Sequence, residues 1–128
     1  MPENEQTPPA DTDVIPVYAN NVRFEMSAWD LRIFFGQLEP GAQNIDWHTD
    51  VSVPWAQAKL MHLFLGINLA LYEQENGPIK IPSRVLPPAM TTPPETVDQS
   101  DPQAMESFRL VQQLMNEFRL REQGNTAL

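Results

Sequence analysis

The sequence predicts an α+β fold: an antiparallel sheet of three or four strands covered by one long helix, then a Pro-rich spacer and a C-terminal helix. Three observations carry this expectation. Apolar and polar residues alternate between Val17 and Val53, the period changes to that of a helix at Pro54, and six prolines crowd residues 82–102 ahead of a second helical stretch.

Val22, Phe24 and Met26 alternate with Arg23 and Glu25, which is a strand with one apolar and one wet face. Ser27-Ala28-Trp29-Asp30 suits a short turn. Leu31, Ile33 and Phe35 then resume the alternation, with Arg32 and Phe34 opposite, until Gly36. A loop through Pro40-Gly41 leads to the third run. There Trp47, Thr49, Val51 and Val53 fall on one side, and Asp46, His48, Asp50 and Ser52 on the other. Trp29 and Phe34 project from the wet side. They are candidate contacts for a client or partner, unless the C-terminal helix or a second subunit buries them.

Pro54 opens a helix, because its fixed φ and absent N–H suit the first turn. Gly77-Pro78 ends it, so the helix is expected over Pro54–Glu75. Leu60, Leu63, Phe64, Ile67 and Leu71 form one stripe, fit to cover the apolar sheet face. A second stripe holds Met61, Leu65, Leu69 and Tyr72. One sheet face cannot bury both, and leaving the second wet forgoes about 1.5–3 kcal/mol per side chain. The second stripe is therefore the expected interface, for an oligomer or for helix packing. Gly66 costs about 1 kcal/mol relative to Ala in a helix but permits a close interhelical approach.

The terminal helix, 102–123, opens with Asp101 as N-cap and Pro102 in its first turn. Its docking side is Phe108, Leu110, Val111, Leu114, Met115 and Phe118. It can fold back onto the Met61 stripe, or leave that stripe to a second copy and dock elsewhere.

The 128 residues carry 8 Lys+Arg against 17 Asp+Glu, a net charge of −9. Residues 1–13 hold four acids and no base and are expected to be a disordered tail. Residues 14–82 are the expected core, 83–101 the linker and 124–128 a second disordered tail. The acidic balance argues against phosphate backbones and anionic membranes as partners. With no cysteine, disulfides and thiolate metal sites are excluded. The longest apolar stretch, Leu60 to Tyr72, is too short for a bilayer, and no signal sequence opens the chain. A cytoplasmic location is expected.

Tyr18-Ala19-Asn20, Phe35-Gly36-Gln37, Val53-Pro54-Trp55-Ala56-Gln57-Ala58-Lys59, Tyr72-Glu73 and Gly77-Pro78-Ile79 together resemble a family of small uncharacterised bacterial proteins, a domain of unknown function. The resemblance covers about 17–82. Val53 departs from the pattern, since a Ser before the proline is the family's usual helix cap and Val cannot cap. Either the third strand runs straight into the helix, or another group caps it. The sheet-then-helix order in an acidic chain is also similar to the export chaperone SecB, which implies a tetramer holding unfolded clients in apolar grooves.

Candidate chemistry is sparse. On a regular strand Asp46, His48 and Asp50 share one face and form a candidate metal or acid/base site; a solvated face in which Arg23 and Arg32 pair across strands explains the same residues more cheaply. The other histidine, His62, lies beside Glu73 and near Lys59 on the helix. No nucleophile elbow or phosphate loop exists, and no catalytic residue or cofactor is expected. The expected function is non-catalytic protein–protein interaction, with the chain itself (as dimer or tetramer) and another protein as partners. The alternatives are a small metal-binding protein or hydrolase using Asp46, His48 and Asp50, and an adaptor docking a larger assembly through its C-terminal helix.

Overall fold

In the computed structural model, which describes residues 14–127, three strands follow one another as β1 (Asn21–Met26), β2 (Asp30–Gln37) and β3 (Asp46–Pro54). They form an antiparallel sheet in the order β1-β2-β3. The helix α1 (Trp55–Asn76) comes next, then a two-residue strand β4 (Ile81–Pro82), the helix α2 (Pro102–Glu122) and a two-residue strand β5 (Thr126–Ala127). The chain divides into two units, residues 1–66 and 67–128. The expected acidic tail over 1–13 lies outside the described residues.

In the first unit, the β1–β2 turn closes with Ser27 N–H donating to Asp30 O (3.0 Å), while the Ser27 hydroxyl accepts from the Trp29 and Asp30 N–H groups. Pro40 and Gly41 turn the chain as their pairing foretells, with Gly41 at φ 83° and Ala42 N–H donating to Glu39 O. β3 continues through Pro54 and α1 begins at Trp55, so the strand does run straight into the helix. The Trp55 indole N–H donates to Ser27 O (3.0 Å) and ties the helix start to the β1–β2 turn.

The sheet is three-stranded and one long helix follows it, as expected. No residue of α1 is buried. On the apolar sheet face, Ile33 of the central strand is 4% exposed, yet Phe24 and Met26 of β1 stand 60% and 82% exposed. One continuous helix, apolar around most of its circumference, follows directly on the strand.

In the second unit, Gly77 ends α1 in the left-handed region (φ 82°), its N–H donating to Glu73 O, and the Glu73 carboxylate accepts from Ile79 N–H. Asp101 caps α2 as expected, accepting from Gln103 N–H at 3.0 Å. The Pro-rich segment has little regular structure beyond a single turn of 3₁₀ helix at Ser83–Val85, but α2 holds its backbone. Gln112 and Asn116 side-chain amides donate to Met90 O, Asn116 Oδ1 accepts from Met90 N–H, and Arg119 donates to Pro87 O. Near the end of the described residues, β5 pairs in parallel with β4 (Ile81↔Thr126, Pro82↔Ala127). Among the described residues, no helix is long and apolar enough to cross a membrane.

Candidate functional site

The polar face of the sheet is built by register. Arg23 lies opposite Phe34 on β2, and Phe34 opposite Asp50 on β3. The Phe34 ring is flanked by two guanidiniums, Arg23 at 4.5 Å and Arg32 at 4.7 Å from its centroid. Arg32 is hydrogen-bonded to Asp50 and lies 3.6 Å from Glu25, which also stands 3.6 Å from Arg23. The bond to Asp50 raises the Arg32 pKa above its ordinary value. The expected cross-strand pairing of arginines with acids is therefore present, and Phe34 is half-buried beneath them. Trp29 differs: it stands 86% exposed at the tip of the β1–β2 turn.

Asp46, His48 and Asp50 do not come together. Phe35 pairs with Thr49 but Gly36 with Trp47, so a β-bulge leaves His48 without an opposite residue. The bulge reverses the expected faces at this end of β3. Trp47 joins the arginine side, with the Arg23 guanidinium 5.5 Å from its ring. His48 turns toward the segment preceding β1, its Nε2 3.0 Å from Tyr18 O and its Nδ1 2.7 Å from Thr49 Oγ1. The carbonyl can only accept, so Nε2 carries the proton and tethers Tyr18 to β3. Beside it, Ile15, Val17, Ala19 and Phe35 complete a shallow groove of about 240 Å³ with His48 and Thr49. Among the described residues, no group of three or more His, Asp or Glu is placed to hold a metal ion.

The apolar candidates are found on the helices. Met61, Leu65, Leu69 and Tyr72 are all exposed, between 38% and 61%. The first stripe, Leu60, Leu63, Phe64, Ile67 and Leu71, is exposed as well. At about 100° per residue the two stripes span roughly 240° of the helix, leaving Lys59, His62, Gly66 and Glu73 on the remaining side. A Cβ added at Gly66 meets nothing within 4 Å, so among the described residues the close approach expected there has no counterpart. The docking residues of α2 divide between two faces. Phe108 is buried, while Met115 and Phe118 are half-buried, the Phe118 ring lying 5.3 Å from the Arg121 guanidinium. Val111 and Leu114, with Leu110, stay exposed.

Sequence reasoning missed the bulge and the amide clamp on Met90. The signals for the clamp are Gln112, Asn116 and Arg119, spaced to share one helix face. A family model described as a protein of unknown function (DUF3467) matches residues 3–81. No curated protein and no solved structure matches the chain.

Proposed function

The chain belongs to the DUF3467 family, whose match spans the sheet, α1 and the exit from α1, and on that footing we propose that it is a non-catalytic protein-interaction module working as an oligomer joined through α1. The observation that carries the reading is that a helix of 22 residues has no buried residue, although large apolar side chains occupy most of its circumference. A helix with an apolar arc this wide has more surface to bury than a single-faced amphipathic helix. Among the described residues, the buried apolar side chains are only Ile33 and Phe108, so each unit gains much from a partner surface. A second copy supplies one with the same composition, and Met61, Leu65, Leu69 and Tyr72 are the residues assigned to that contact.

A SecB-like role follows from the same reading. Assembly through one α1 stripe leaves the other, with Trp29, as apolar surface for unfolded or partly folded protein. The net charge of −9 keeps nucleic acid out of the account, and it accords with a cytoplasmic bacterial module. The exposed Leu110, Val111 and Leu114 on α2, beyond the family match, give the adaptor reading its own surface.

Light scattering on the wild type and on Leu65→Glu tests the assembly. The expected result is a multiple of 14.6 kDa for the wild type and a smaller particle for the variant, with helicity retained. A single monomeric mass for both proteins rejects the proposal.

A further inference from the structure

The outer edge of β1 is a second place where the molecule is incomplete. Ser27 N–H bonds Asp30 O across the turn, which fixes the alternation along the hairpin. Asn21, Arg23 and Glu25 direct their backbone groups toward β2, so Val22, Phe24 and Met26 direct theirs outward. Among the described residues no strand pairs with that side, because the sheet order begins at β1. The chain before β1 turns the other way, Asn20 bonding Leu38 and Tyr18 bonding His48. β1 carries no proline, bulge or lysine to blunt the edge.

We propose that β1 pairs antiparallel with β1 of a second copy about a two-fold axis at Phe24, joining two sheets into one. This rests on the self-association proposed above but uses a different surface. With the axis at Phe24, every outward N–H and C=O of Val22, Phe24 and Met26 meets an outward group of the partner. Arg23 stands opposite the partner's Glu25, and Glu25 opposite the partner's Arg23, on the polar face. Val22 meets the partner's Met26 and Phe24 its own copy on the apolar face, where these side chains are 49–82% exposed in the single chain. The register is selected by charge. Moving the axis one residue either way sets Arg23 against Arg23 or Glu25 against Glu25, which is unfavourable. The other edge does not offer this. On β3 the same alternation points Asp50 and Ser52 outward, a two-fold axis at Asp50 opposes two carboxylates, and the bulge at His48 interrupts the ladder.

The chain has no cysteine, so one introduced at the axis reports the register directly. In a hydrogen-bonded antiparallel pair the Cα atoms lie about 5.5 Å apart, within disulfide range. Under mild oxidation Phe24→Cys is expected to give a covalent dimer, and Ser52→Cys on the far edge is not. The same trial in a Leu65→Glu background separates the two surfaces: cross-linking that persists there supports β1 pairing independently of α1. A second arm uses charge. Arg23→Glu and Glu25→Arg are each expected to weaken the dimer about tenfold or more, and mixing the two variants is expected to restore it. A wild type that assembles while Phe24→Cys stays uncross-linked overturns β1 pairing and leaves the α1 reading standing. Failure of the mixed variants to associate also overturns it.

Discussion

Gly36 sits where the β2–β3 register shifts, and a Cβ there would fall 2.7 Å from both Trp47 Cε3 and Ile45 Cγ2 and 2.9 Å from Asp46 O. The bulge that turns His48 away from Asp50 thus depends on glycine. Gly36→Ala is expected to lower stability by about 1–3 kcal/mol, the usual cost of overpacking, read as a fall in the denaturant midpoint. Gly66 is the opposite case. It has open space around it and no positive φ, so Gly66→Ala is expected to raise stability by about 1 kcal/mol through helix propensity. The alternation of Val22, Phe24, Leu31 and Ile33 was legible because each side chain's face depends only on its neighbours along the chain. The placement of Trp47 and His48 was not, because a bulge is a property of two strands and leaves no mark on the period of one. What could have been read is the glycine, which inside a strand often marks a bulge.

At the scale of elements, punctuation was legible and packing was not. Gly77, Asp101 and Pro102 act at the positions their chemistry predicts, since caps and breakers depend on local backbone geometry, whereas Pro54 is the last residue of β3 and the helix expected over Pro54–Glu75 runs from Trp55 to Asn76. The spacer looked free in the sequence because few apolar residues hold it. Its anchor is polar: the amide of Asn116 bonds both backbone groups of Met90, and Gln112 adds a 2.7 Å bond to the same carbonyl. Asn116→Ala is expected to leave Met90 N–H without its partner and to cost about 1 kcal/mol. Faster amide exchange and earlier protease cleavage near Met90 are the measurements, with α2 helicity unchanged. α1 teaches the complementary lesson. Its two stripes were plain in the sequence and both are exposed, but the partner of an apolar stripe cannot be read from the stripe.

At the scale of the whole molecule, the exposed surface is what supports the proposed self-association. α1 exposes both apolar stripes, β1 exposes an unpaired edge, and α2 keeps Leu110, Val111 and Leu114 outward. An exposed apolar area this extensive marks an interaction site. The family match covers residues 3–81, so it includes the sheet and α1 and stops short of α2. Two kinds of contact are proposed on these surfaces, self-association through α1 and β1 and docking of another protein through α2. Sedimentation equilibrium of the wild-type chain over a wide concentration range tests the self-association most directly. The account predicts a mass at or above twice 14.6 kDa at micromolar concentration. A mass of 14.6 kDa at every concentration would contradict it.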